Sequence, residues 1–208
     1  MSLKINVLTA NRKNYGGQRK QIKYIVVHYT ANKNDTARGN ATYFQNRIVE
    51  ASAHFFVDEN EIWQSVPDNY EAWAVGGKNN RGRYYGKCTN NNSISVELCN
   101  SVDFVPEKTA DLARQLIKNL MKKYNVPVSR VIRHYDVTGK ICPKPLVDDG
   151  AWQNFKGGLV EVRYKTIKDV PEWGKEIVEK LVAEKKIADG NKLDLSEDML
   201  RVLVIMNR

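Results

Sequence analysis

Histidine and cysteine are scarce in this chain. Of 208 residues, three are histidine (His28, His54 and His134) and three are cysteine (Cys88, Cys99 and Cys142). An odd number of widely separated cysteines is poor material for a disulfide framework and reads as thiols in a reducing compartment. No apolar run approaches the roughly 20 residues of a membrane span. There is no GxGxxG fingerprint, phosphate-binding loop, internal repeat or low-complexity tract. The opening MSLKINVLTANRKNYG lacks an apolar h-region with a small-residue cleavage site, so accumulation in the cytoplasm is expected.

What is present suits a water-exposed globular chain with a proper core: 42% apolar and 27% charged residues, with a net charge of +9. The charge is unevenly placed. Residues 169–208 carry seven Lys/Arg against nine Asp/Glu, which leaves 26 against 15 on residues 1–168. That excess predicts an anionic partner, either nucleic acid or an anionic cell-wall polymer. No basic helix or aromatic-basic recognition motif favours nucleic acid.

The scarce residues are concentrated in one stretch. Residues 133–145, RHYDVTGKICPKP, set His134, Lys140 and Cys142 around Gly139 and two prolines. Imidazole and thiolate are the usual zinc ligands, and a third ligand could come from His28 or His54. The run 22–29, IKYIVVHY, is too apolar for a surface strand and reads as a buried central strand that ends at His28. Residues 129–133, SRVIR, form a second short strand that delivers His134. If the two strands are neighbours, both imidazoles leave the same edge of a sheet, which favours a metal site. His54, at the start of another strand, is either that third ligand or a packed, hydrogen-bonded side chain.

Other elements follow from periodicity. Thr36 to Val49 reads as an amphipathic helix with Tyr43, Phe44 and Ile48 inward. Ala53–Asp58 and Glu61–Val66 flank Glu59-Asn60 as a hairpin, with Asn60 suited to a left-handed turn. Residues 67–92 are irregular, with Gly76, Gly77, Gly82 and Gly86. Such a stretch in a compact domain reads as a functional rim, where Trp73, Tyr84 and Tyr85 are either platforms for sugar or peptide or partly core. SISVELC (93–99) alternates, with Glu97 in mid-strand. A carboxylate there needs solvent on its face or a role lining a cleft. Pro106 to Tyr124 is the longest helix, its Leu112, Leu116, Ile117, Leu120, Met121 and Tyr124 on one face. Lys156-Gly157-Gly158 ends the first domain and 159–168 is a linker or short strand. In 169–208 one helix opens at Pro171 and ends near 188–191, and a second is capped by Ser196. Some forty residues bury little core alone, so this module is expected to bind wall or self-associate.

With these residues laid out, the chain resembles the type 2 N-acetylmuramoyl-L-alanine amidases, the zinc fold shared by bacteriophage lysins, bacterial wall amidases and animal peptidoglycan recognition proteins. The matching pieces are IVVHYTA (25–31), SAHFFVD (52–58), EAWAVGG (71–77), NNSISVEL (91–98) and RHYDVTGKICP (133–143). The resemblance covers residues 20–158 and is nearest to phage endolysins aimed at Gram-positive walls. It implies an α/β fold, a mixed central sheet flanked by helices, followed by a small helical C-terminal module. It implies His28, His134 and Cys142 as ligands of one catalytic zinc, with His54 structural. The implied reaction is hydrolysis of the amide between N-acetylmuramic acid and L-alanine, and peptidoglycan is the implied partner. Two departures bear on proton transfer: Ala53 stands where many relatives have tyrosine, and Trp73-Ala74 where they have Trp-His. Glu97 is then the expected acid/base, Lys140 the oxyanion-stabilising cation, and Trp73, Tyr84 and Asn92 the substrate rim. A non-catalytic peptidoglycan-binding module is the alternative. Such relatives lack the cysteine ligand, which Cys142 supplies.

Overall fold

The computed structural model describes residues 3–19, 21–76, 82–160, 162–187 and 189–207. It divides into two compact units, Met1–Leu159 and Val160–Arg208. The first unit runs β1 (Asn6–Val7), β2 (Tyr15–Gln18), β3 (Tyr24–Tyr29), α1 (Ala37–Asn46), β4 (Phe55–Val57), β5 (Ile62–Gln64), β6 (Tyr70–Ala72), β7 (Ser93–Leu98), α2 (Glu107–Tyr124), β8 (Val131–Arg133), α3 (His134–Thr138) and α4 (Asp149–Gly157). Six strands form a mixed sheet in the order β1-β5-β4-β7-β3-β8, and β2 pairs with β6 separately. The sheet is parallel at β4–β7, β7–β3 and β3–β8 and antiparallel only at β4–β5.

Buried parallel strands are apolar on both faces, and β3 is buried from Tyr24 to His28. On one face Ile25, Val27, Ile94, Val96, Leu98 and Val131 join the apolar stripes of α2 and α4 (Leu116, Ile117, Leu120, Trp152, Phe155) in the main core. On the other, Tyr24, Val26 and Ile132 pack with Val75 and Val137, while Phe56 packs with Ala37 and Ala41 of α1. Helix α2 follows its predicted stripe and stops where Asn125 turns left-handed (φ 51°) and returns its N–H to Met121 O.

Two local expectations are corrected, and one element is added. The inward face of α1 is Ala37, Ala41 and Phe44, whereas Tyr43 and Ile48 are 51% and 56% exposed. Small alanines let the helix approach the sheet closely beside Phe44, while Tyr43 falls on the outer face and Ile48 lies beyond the end of the helix. The β4–β5 turn needs no left-handed residue. The Asp58 carboxylate holds it instead, accepting from the N–H groups of Asn60 and Glu61, and it also accepts from that of Ala37. Residues 149–157, unassigned from sequence, form α4, capped by Asp148, whose side chain accepts from Ala151 N–H.

The second unit holds β9 (Arg163–Tyr164), α5 (Glu172–Ala183), β10 (Leu195–Ser196) and α6 (Glu197–Met206). Part of the stretch read as a linker or short strand is β9, antiparallel to β10. Tyr164 contributes its ring to a core with Val178, Leu193, Leu195 and Leu200. Helix α5 ends at Ala183, ahead of the expected 188–191, of which Ala188 lies outside the described residues. Ser196 caps α6 by accepting from Met199 N–H. Among the described residues no helix is long and apolar enough to cross a membrane.

Candidate metal centre

Register places the chemistry in one row. In the parallel ladders His28 lies opposite Glu97, and Glu97 opposite Phe56. Side chains directly opposite share a sheet face, so imidazole and carboxylate emerge side by side. Val27 is paired with Arg133, the last residue of β8, so His134 follows at the level of His28. There the strand gives way to α3. The left-handed Gly139 (φ 74°) ends α3 and turns the chain so that Cys142 comes back over both histidines.

The ligating atoms of His28, His134 and Cys142 all lie within 4.8 Å of one another, and all three residues are buried. Cys142 Sγ is 3.7 Å from His28 Nδ1, and the two imidazole centroids are 4.7 Å apart. Buried polar atoms are normally hydrogen-bonded. Here His28 Nε2, both ring nitrogens of His134 and Glu97 Oε2 have no hydrogen-bond partner among the described residues. Neutral imidazoles with unpartnered nitrogens, converging on a thiol, are the donor set of a divalent-cation site, and the combination of nitrogen and sulfur donors suits zinc.

Electrostatics agree with that assignment. Burial, then the neighbouring His134 and Lys140, hold the pKa of His28 well below the usual imidazole range. Burial and Lys140 lower that of His134 to about 4. Both rings are therefore neutral at pH 7, as ligands must be. Burial, with the nearby Glu97 carboxylate, raises the Cys142 thiol to about 12, so without a cation it stays protonated. Burial raises Glu97 to about 7, although Lys140 pulls it down. Asp35 contributes to the rise, and is itself held by Asn100 N–H and the Asn40 side chain. A carboxyl group poised near neutrality can both take and return a proton. Lys140 is exposed, and its charge acts on His28, His134, Glu97 and Cys142 alike.

His54 stands apart from the trio, with both ring nitrogens engaged. Nδ1 is 3.0 Å from Ser95 Oγ, and Nε2 is 2.8 Å from an Arg19 guanidinium nitrogen that can only donate. The rim residues divide. Trp73 is half-buried, its backbone N–H donating to Ser52 Oγ. Tyr84 packs edge-on against Tyr24 at 5.7 Å. Tyr24 lies four residues before His28, about 13 Å along the strand at 3.3 Å per residue. Asn92 accepts from Thr89 N–H and donates to Lys87 O, closing its own loop just before β7. Tyr84 and Asn92 thus serve the N-terminal ends of the parallel strands, while the trio sits at their C-terminal ends. Gly77, part of the matching EAWAVGG, lies outside the described residues. Two buried arginines, Arg19 and Arg133, were missed. The second was visible as an Arg-x-x-Asp pair (Arg133, Asp136) at helical spacing.

A mixed sheet whose adjacent strands deliver two histidines beside a buried carboxyl, with a thiol folded over them, defines a metallohydrolase class of site. The family described as N-acetylmuramoyl-L-alanine amidase (Amidase_2) matches residues 18–145, and this chain belongs to it. The N-acetylmuramoyl-L-alanine amidase CwlH of Bacillus subtilis (strain 168) is 34% identical over 162 residues, 76% of this chain and 61% of that protein. XlyA of the same organism, another N-acetylmuramoyl-L-alanine amidase, is 37% identical over 138 residues, 65% of this chain and 43% of that protein. The chain thus spans less than two thirds of the length of these relatives. A solved structure titled as a mutant endolysin from Bacillus subtilis superposes with a TM-score of 0.65 at 34% identity, covering 76% of this chain and all of that one (100%).

Proposed function

We propose that this chain hydrolyses the amide bond between N-acetylmuramic acid and L-alanine in peptidoglycan, as a phage or prophage endolysin. The observation that carries the proposal is the convergence of His28, His134 and Cys142 beside Glu97, whose Oε2 has no hydrogen-bond partner among the described residues, on the fold of an amidase family. One zinc ion would be held by His28, His134 and Cys142. When bound, it supplies Lewis acidity toward a carbonyl and makes water a competent nucleophile near neutral pH.

The chain's own residues do the rest. Glu97 takes the proton of the attacking water and returns it to the leaving amine of L-alanine. The ammonium of Lys140, exposed at the edge of the site, offsets the negative charge that grows on the carbonyl oxygen. Trp73 is the residue of the expected rim that remains free to meet sugar or peptide. The positive excess on residues 1–168 suits an anionic wall. Residues 160–208 serve as a wall-binding or self-association module, and α6 there exposes Met199, Val202, Ile205 and Met206.

A non-catalytic recognition module needs neither the thiol nor a carboxyl tuned to about 7, which favours hydrolysis over mere binding. The test is incubation of the purified chain with purified wall, following the release of free amino termini alongside the zinc content of the protein. Binding to wall with no amino termini released, at full zinc occupancy, would establish the recognition module instead.

A further inference from the structure

Arg133 lies between the two segments that carry His134 and Cys142, and it is 5% exposed. Its backbone N–H and Nε donate to Asp136 Oδ2 at 2.8 and 3.1 Å, and its Nη2 donates to Asp136 Oδ1 at 2.8 Å. Nη2 also reaches Asp149 Oδ1 at 3.0 Å. Nη1 donates to the carbonyls of Leu146 and Val147 at 3.0 and 2.8 Å. Two aromatic rings also lie against the guanidinium, Tyr135 at 5.2 Å and Trp152 at 5.5 Å. The backbone adds one tie between the same segments, from Tyr135 N–H to Cys142 O at 2.8 Å.

Seven residues separate His134 from Cys142, and the loop between them is exposed at Lys140 and Ile141. Left to itself, such a loop would hold the thiol loosely, and a metal would have to order it on binding. Arg133 removes that cost. One arm grips the first turn of α3, at whose start His134 sits, and the other grips the backbone four and five residues beyond Cys142. Only a planar fork with five donors can do both; an ammonium at the same place has too few donors in the wrong directions.

We infer that Arg133 is a positioning residue for the metal centre, fixing Cys142 relative to His134 before the ion arrives and so setting zinc affinity. This rests on the zinc reading of the site. Groups that orient metal ligands typically change metal affinity by about 10- to 100-fold when removed. The asymmetry of the network makes a control available, because Asp149 is 85% exposed on its side chain and meets only one edge of the guanidinium.

The experiment compares the full chain with Arg133→Lys, Asp136→Asn and Asp149→Asn, each stripped with chelator. Zinc affinity is read by competition with a chromophoric chelator, the thiolate–metal absorption by cobalt(II) substitution, and stability by thermal melting of the stripped forms. Arg133→Lys is expected to bind zinc roughly 10- to 100-fold more weakly, with a shifted or weakened cobalt–thiolate band. Asp149→Asn should match wild type. If Arg133→Lys does not fold, Asp136→Asn is expected to show the same loss, since it frees the guanidinium from α3. Wild-type zinc affinity and an unchanged cobalt spectrum in whichever of the two folds overturn the inference, as does weaker binding accompanied only by an equal loss of apo stability. Failure of the wild-type chain to bind zinc overturns the zinc reading itself.

Discussion

At the residue scale, ligand and acid/base roles separate by what each substitution leaves behind. Cys142→Ser removes the only sulfur donor of the trio, and the expected outcome is a folded protein whose zinc content, by elemental analysis, falls well below one per chain. Glu97→Gln keeps the shape and the three donors, so zinc should stay while wall hydrolysis drops by about 10²- to 10⁴-fold, the usual worth of general acid–base catalysis. Near-normal turnover in Glu97→Gln would mean that another group moves the proton. Lys140→Ala, with zinc retained and turnover reduced, tests the charge on the carbonyl oxygen. Glu97 also shows where sequence reading stopped. Alternation in SISVELC put it on the face opposite Ile94, Val96 and Leu98. Whether that face was wet or closed depended on α1 and on the Cys142 loop, both distant in sequence.

At the scale of elements, the second unit offers clean tests, one at a helix cap and one at a close contact between its two helices. The Ser196 hydroxyl accepts from Met199 N–H at the start of α6, and Ser196→Ala should cost the unit about 1 kcal/mol, read as a lower midpoint in chemical denaturation. Gly174 of α5 faces Leu200 of α6, where an added Cβ would come within 2.7 Å of Leu200 Cδ2. Leu200 is fully buried and cannot step aside, so Gly174→Ala should destabilise this unit by about 1–3 kcal/mol. A midpoint unchanged in Gly174→Ala would show that α5 and α6 can slide apart without penalty. Elements were legible where a strong period met a strong cap, as in α2 with Asn125 and α6 with Ser196. Where the helix packed through alanines, as α1 does, the element was legible but its buried face was not, because alanine adds little to a hydrophobic pattern while permitting the closest approach.

For the molecule as a whole, buried neutral histidines make acid the weak side of stability. His54 is lowered to about 3, His134 to about 4, and His28 well below its usual value. Between those values and the unfolded-chain value of about 6.5, the unfolded state binds protons that the folded state refuses. Each group therefore removes about 1.4 kcal/mol of stability per pH unit as pH falls through that window. Glu97, raised to about 7, works oppositely, since its folded form holds a proton that the unfolded form releases between pH 7 and about 4.5. Three groups against one leave a net loss on acidification. Denaturation of the metal-free chain should show stability falling steadily below pH 6.5, nearly level between pH 7 and about 8, and falling again above about 9, where the unfolded chain releases thiol protons that burial holds in the folded one. A flat profile from pH 7 to 5 would contradict the burial of these imidazoles.

The sequence by itself determined which side chains could do chemistry, because imidazole, thiol and mid-strand carboxyl are rare here: His28, His134 and Glu97 stand at the end of or within apolar strands, and Cys142 lies in a short turn-rich stretch after His134. It also determined β3 and β7, which follow from apolar run and alternation alone, but not the short β1, β2 and β6, whose pairing carries no such local pattern. Only the tertiary structure decided that His28, Glu97 and His134 share one level of the sheet. A parallel register is set by packing and by crossovers dozens of residues long, and nothing local encodes it. The same holds for the closure of Cys142 over them, which depends on Arg133 reaching carbonyls that become its neighbours only after the chain has turned back.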